Sequence, residues 1–295
     1  MNPTRIPIEP LMRRLLHKVC CLVLLLNYPV TVLAWSTLEN WADVLLLQMK
    51  AKQPLPALSS YGAELPLADA YAVQRLLLEE LATQSPLVGY KAELTTPMSR
   101  VRMHAAAPVF TAVLKRDLLS PGSDLGPAKP GEHSLAAAIG YVVKRRIAAP
   151  IANPAMLPGF IARAVPVVMI LDLRFENRSA VRAEDLVAAN GAHTHLIVGK
   201  DFPDTAPAAA DAVLVEVLHE GNVIDRAKGT NIMGSQAKAL LWLVNEIVGQ
   251  GRVVVPGQML VTGPLSEPMP ISPGNYTVKY WDHDEIPVIL RAPGT

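Results

Sequence analysis

Residues 89–95 read Gly-Tyr-Lys-Ala-Glu-Leu-Thr, a short strand whose neighbours on either side set the architecture of the chain. Side chains alternate along a strand, so Lys91 and Glu93 fall on one face, an ammonium two residues from a carboxylate. Upstream, Ala70, Val73, Leu77 and Leu81 recur at helical spacing after Pro66, and Asp69 is placed for the first turn. Residues 83–88 end that helix. Further back, Ser36-Thr37-Leu38-Glu39 has the form of a capping box, which predicts a helix from Ser36 to about Lys52, stopped by Pro54.

Downstream, residues 119–134 are rich in Pro, Gly and Ser and read as a loop. Beyond it lie short β-branched runs: 139–143, 165–171, 195–198, 212–218, 253–255 and 259–261. Residues 276–281 alternate with period two, which leaves one face wetter. One helix interrupts the strands, with Ser235 as its cap, Ala237, Leu240, Leu241, Val244 and Val248 as its apolar stripe, and Gly249 at its end. The expected class is α+β: a helical N-terminal portion over 35–118 and a β-rich body over 119–295 that carries the pocket.

Of 295 residues, 51% are apolar and 18% charged, which excludes a disordered chain. Lys and Arg number 27 against 26 Asp and Glu, with no basic tract, so a nucleic-acid-binding surface is not expected. Residues 1–34 differ from the rest. Arg13, Arg14 and Lys18 precede an apolar run from Val19 to Leu26, and Val32 and Ala34 form a small-residue cleavage site before Trp35. That is the grammar of a secretory signal, which predicts a periplasmic or secreted protein. The same segment serves as a membrane anchor if retained, and a misassigned start codon leaves the protein cytoplasmic. Both cysteines, Cys20 and Cys21, lie in it, so a cleaved chain has no thiol for a disulfide, a nucleophile or a metal. Cleavage also removes Arg5, Arg13, Arg14, Lys18 and Glu9 and leaves the remainder near neutral, which suits a small-molecule protein.

Seven local strings, in order, resemble the hydratase/decarboxylase branch of the fumarylacetoacetate hydrolase superfamily. They are Leu67–Gln74, Gly89-Tyr90-Lys91 with Leu94-Thr95, and Pro108 with Phe110 and Leu114. Asp172, Arg174 and Glu176-Asn177 follow, then Asp185 to Asn190. Gly234 with Ala239, Trp242, Leu243 and Asn245 is the sixth, and Pro256-Gly257 with Thr262-Gly263 the last. The resemblance covers roughly 65–295. It implies a fumarylacetoacetase C-terminal-domain-like twisted β-sheet roll with a small helical N-terminal portion, an active site in the mouth of the roll, and a homo-oligomer. It also implies Mg²⁺ or Mn²⁺ that binds a 2-oxo or 2-hydroxydienoic acid and stabilises its enolate, a task for hard oxygen ligands.

The family's ligands are an E-x-E pair on one strand and a further Glu on a later one. Those positions align with Ala136, Ala138 and Met169, none of which offers a hard oxygen. The family's D-N-A-S turn reads Ala189-Asn190-Gly191-Ala192 here. No metal cofactor is therefore expected. Other groups that bear on a rebuilt site are Glu132-His133, which reads as loop, and His193 with His195, which reads as a solvated edge unless a softer metal uses it. Lys91 is the charged family position that survives. It serves to hold a substrate carboxylate or polarise an oxyanion, or else pairs structurally with Glu93. Asp172 and Arg174 read as a structural pair.

The resulting expectation is a divergent lyase on a small organic acid, working without the family's divalent metal. Lys91 and Glu93 are the candidate catalytic residues and Thr95, Asn190 and Thr262 the candidate substrate-binding residues. A carboxylate beside a cation is a weak base unless burial raises it, which counts against Glu93. The alternatives are an exported non-catalytic small-acid-binding or partner protein on the same fold, and an ordinary metal-dependent cytoplasmic hydratase.

Overall fold

A computed structural model describes residues 30–61, 65–191 and 193–294. Helix α1 spans Val30–Ala51, α2 Leu67–Gln84, α3 Pro97–Arg102, α4 Ala183–Ala188 and α5 Gln236–Gly249. The strands, in chain order, are β1 Leu87–Glu93, β2 Val109–Leu114, β3 Leu118–Leu119, β4 Asp124–Pro127, β5 Ser134–Val143, β6 Ile161–Asp172 and β7 His193–Val198. They continue with β8 Leu214–His219, β9 Asn222–Lys228, β10 Met259–Pro264, β11 Met269–Pro270, β12 Gly274–Tyr280 and β13 Asp284–Arg291. This is the expected α+β roll.

The larger sheet has the order β2-β1-β10-β5-β6-β7-β3, with β11 paired to β5. β1 lies parallel to β10, and β2 is antiparallel to β1. Both strands precede residue 118, so the sheet runs across the boundary between the helical portion and the β-rich body. The second sheet has the order β4-β13-β12-β8-β9. Tyr280 of β12 ties the two sheets together: its hydroxyl donates to Val167 O at 2.6 Å and accepts from Ala138 N–H at 3.2 Å.

Alternation divides the larger sheet into two faces. Leu135, Ala137, Ile139 and Tyr141 of β5 join the main core together with Leu77 of α2 and Leu240 and Leu243 of α5. Ala138 points the other way, into a second cluster with Val113, Val165, Val167, Met169, Leu196, Met259 and Val261. Helix α2 docks on β2 through Tyr71, whose hydroxyl accepts from Phe110 N–H at 3.1 Å.

Three details differ from the sequence reading. Helix α1 begins at Val30, not at a Ser36 cap, because no residue between Pro29 and Pro54 breaks it. The proposed cleavage point after Ala34 therefore falls within this helix; residues 1–29, the bulk of the signal or anchor segment, lie outside the described residues. Ser235 does stand at the N-cap of α5, but its side chain makes no capping bond; Asp211 Oδ1 instead accepts from Gln236 N–H at 2.6 Å. The loop over 119–134 contains the short strand β4. Among the described residues, no helix is long and apolar enough to cross a membrane.

Candidate active site

Lys91 and Glu93 lie on the face of β1 that meets the second cluster. In the β1–β10–β5–β6 register Lys91 is level with Val261, Gly140 and Val165. Lys91 is 2% exposed and Glu93 4%, and Lys91 Nζ donates directly to Glu93 Oε1. Removing an ammonium from water disfavours its charged form. Burial accordingly pushes Lys91 down to about 7, while the Asp117 carboxylate acts in the opposite sense. Burial pushes Asp117 itself up, opposed by its bond from Leu114 N–H and by the charges of Arg116 and Lys91.

Two elements complete the surroundings of the pair. Thr111 of β2 is the cross-strand partner of Lys91, is fully buried, and its hydroxyl has no hydrogen-bond partner among the described residues. Gly191 follows α4. Asn190 and Gly191 both take left-handed backbone, with φ of 54° and 76°, which lets their N–H groups return to Val187 and Leu186 carbonyls and end the helix. The Asn190 side chain then docks that end on β2: Oδ1 accepts from Ala112 N–H at 2.7 Å and Nδ2 donates to Ala112 O at 3.1 Å. Gly191 is thereby held against Lys91, Glu93 and Thr111.

A cavity of about 110 Å³ opens beside this group. Glu93, Arg102, Glu132, Arg178, Gly191 and Glu267 are among the residues of its polar side, with Leu94, Leu171 and Leu186 among its apolar walls. Arg178 donates to the carbonyls of Gly131 and Glu132 at 3.1 and 3.3 Å. Glu132 Oε2 accepts from Lys129 N–H at 2.9 Å, and Glu267 Oε1 accepts from Thr96 Oγ1 and from Ser99 N–H, tying β11's approach to the start of α3. Arg102 makes no ion pair among the described residues.

The positions that the resemblance aligns with metal ligands can be tested by their chemistry. Ala136 stands directly opposite Met169 across β5 and β6, and Ala138 follows two residues on, so the three share one patch of one face. The patch is fully buried and apolar. Two methyls and a thioether give a hard divalent cation no oxygen there. Among the described residues no three His, Cys, Asp or Glu side chains converge as a metal site requires. At these three positions the residues present do not fit the group.

The remaining sequence candidates are engaged elsewhere. Thr262 lies on the opposite face of β10 from Val261; its hydroxyl contacts Gln236 Oε1 at 2.8 Å and Ile139 O at 3.2 Å, beneath α5. Thr95 Oγ1 donates to Pro264 O at 3.4 Å. Neither these two nor Asn190 lines the cavity. Asp172 and Arg174 form the expected pair. Burial and the neighbouring His133 push His195 below its usual value; the side chain of His193 lies outside the described residues. Thr111, Gly191 and Arg102 went unread as site residues. The Asn190-Gly191 dipeptide, a turn signal, was the one local hint.

The mixed sheet with Lys91 buried behind the wall of a small cavity has the fold of a solved decarboxylase, and in sequence the chain is similar to hydratases and decarboxylases. It is 25% identical over 232 residues to 4-oxalocrotonate decarboxylase of Pseudomonas sp., covering 77% of this chain and 86% of that protein. It is 24% identical over 244 residues to 2-keto-4-pentenoate hydratase of Paraburkholderia phymatum, covering 82% and 93%. A 2-oxo-hept-4-ene-1,7-dioate hydratase of Escherichia coli is 21% identical over 236 residues, covering 77% and 87%. Among solved structures, 4-oxalocrotonate decarboxylase from Pseudomonas putida G7, complexed with magnesium and adipate, superposes with a TM-score of 0.78 at 21% identity, over 86% of this chain and 97% of that one. No protein-family model matches the chain.

Proposed function

We propose that this protein is a lyase acting on a small 2-oxo or 2-hydroxydienoic acid, and that it handles the enol form with its own side chains rather than a divalent cation. The names of the sequence relatives, hydratases and decarboxylases of such acids, support the reaction class. The observation that carries the metal-free reading is the buried Lys91–Glu93 pair at the cavity, on the same sheet face as Ala136, Ala138 and Met169.

The parts follow from position. The cavity is of the order of the ~150 Å³ that accommodates a benzene-sized molecule, which limits the occupant to a few carbons. Arg102, at the cavity wall without a protein counter-ion, receives the substrate carboxylate. Lys91 and Glu93 share a proton inside low-polarity walls. Burial that makes the ammonium easier to deprotonate also makes the pair able to give or take that proton near neutral pH.

The test is a thermal-shift screen of small 2-oxo acids with and without Mg²⁺, followed by turnover of those that bind. Stabilisation by the acid alone and metal-free turnover are expected; stabilisation only with Mg²⁺ refutes the reading. We propose in addition that residues 1–34 direct export, which their basic, apolar and small-residue pattern supports, and N-terminal sequencing of the exported form tests it.

A further inference from the structure

Three polar atoms meet beside Gly191. A Cβ built on that glycine would stand 3.0 Å from Lys91 Nζ, 3.3 Å from Glu93 Oε1 and 3.3 Å from Thr111 Oγ1. The glycine is itself part of the cavity wall, as is Glu93. Lys91 itself is 2% exposed and stands directly behind these two wall residues, with no side chain on Gly191 between the cavity and Nζ. Around these atoms the same sheet face is aliphatic: Val261, Val113, Ala138 and Met169 are all buried. A lysine that serves only as half of an ion pair has no need of a glycine between it and a cavity or of an unpartnered hydroxyl at its side.

We propose that Lys91 is a covalent catalytic residue: its Nζ condenses with the C2 carbonyl of a 2-oxo acid, and the resulting iminium is the electron sink that the apolar patch cannot provide through a metal. The proposal rests on the substrate class inferred above. In the step, the ammonium gives a proton to Glu93 and the free amine attacks C2. The new N–C bond forms as the C–O π pair moves to oxygen. That oxygen accepts a hydrogen bond from Thr111, takes the proton back from Glu93 together with a second one from nitrogen, and leaves as water. Ammonium plus ketone thus become iminium plus water, and Glu93 ends as the carboxylate. Glu93 can next take the proton at C3, whose C–H electron pair forms the C2–C3 double bond while the iminium π pair returns to nitrogen. Desolvation activates a lysine for this chemistry, and burial acts on Lys91 in that direction.

The experiment uses the full chain, stripped of metal, incubated with pyruvate or 2-oxopentanoate and reduced with sodium borohydride. Peptide mass mapping should find Lys91 heavier by one acid less one oxygen atom. Lys91→Met and Lys91→Arg should lose the adduct, the latter while keeping a cation in place. Gly191→Ala, which puts a methyl against Nζ, should reduce labelling at least tenfold. No adduct, or adducts only on exposed lysines and unchanged in Lys91→Met, overturns the proposal. Because the readout is the wild-type peptide map, a variant that fails to fold does not obscure it. Labelling of Lys91 without turnover of any acid supports the covalent site and removes the lyase reading. Metal-free turnover without labelling overturns the covalent step and leaves that reading standing.

Discussion

Replacing Lys91 by Met removes the cation and keeps the volume, which leaves Glu93 at 4% exposure with no ammonium against its carboxylate. Breaking a buried pair by deleting one partner costs about 3–5 kcal/mol, because the survivor is stranded out of water. In a chain of this length that corresponds to a fall in melting midpoint of roughly 10 °C. Replacing both partners with apolar groups is a different perturbation. Lys91→Met with Glu93→Leu leaves no stranded charge, and such replacements are neutral or stabilising by about 1–4 kcal/mol. Urea unfolding of wild type, both single variants and the double variant gives the coupling directly. The double variant should recover most of what Lys91→Met loses. A Lys91→Met protein within about 0.5 kcal/mol of wild type, or a double variant at the sum of the singles, refutes the claim that the two groups act as one buried unit.

Three further outcomes are expected. The folded-state value of Lys91 is lowered to about 7, so between there and its ordinary value the unfolded chain holds a proton that the folded chain has shed; stability should rise with pH across that window, and the rise should vanish in Lys91→Met. Arg102→Met should leave the melting midpoint unchanged, since the guanidinium makes no ion pair, yet raise KM about tenfold or more through loss of a charge-assisted bond. Thr262→Val should cost about 1 kcal/mol, because Gln236 Oε1 loses the nearer of its two hydroxyl donors and keeps only Tyr141, and should leave KM where it was, as measured by denaturation and kinetics side by side.

How far the sequence revealed the fold depends on which interactions set each element. Helix α2 was legible because Ala70, Val73, Leu77 and Leu81 all face the core and Pro66 precedes them. Strand β5 was read as starting at Ile139, yet it starts at Ser134; Leu135-Ala136-Ala137-Ala138 is an alanine run, and alanine favours helix. Its strand form comes from pairing on both sides with β10 and β6. Strand β9 was missed because it is a largely exposed edge strand, and the Glu220-Gly221 turn that enters it has left-handed backbone at both residues.

The site divides the same way. That Lys91 and Glu93 share a face follows from a period of two and needs no tertiary knowledge. Thr111 joins them only through the β1–β2 register, which shifts between Leu87 and Gly89. Gly191 joins only because Asn190 grips Ala112. Which face of β10 Thr262 takes was not legible from its own neighbours: its hydroxyl turns to Gln236 beneath α5, while Val261, one residue before, packs on the other face of the sheet.

The central claim is that this roll handles its acid substrate without a hard cation. The most direct measurement is turnover of 2-hydroxypenta-2,4-dienoate by protein dialysed against EDTA, with metal content determined on the same sample, before and after Mg²⁺ or Mn²⁺ is added back. Hydration at an unchanged rate in the stripped sample is the predicted result. Activity absent after EDTA and restored stoichiometrically by either cation would contradict it.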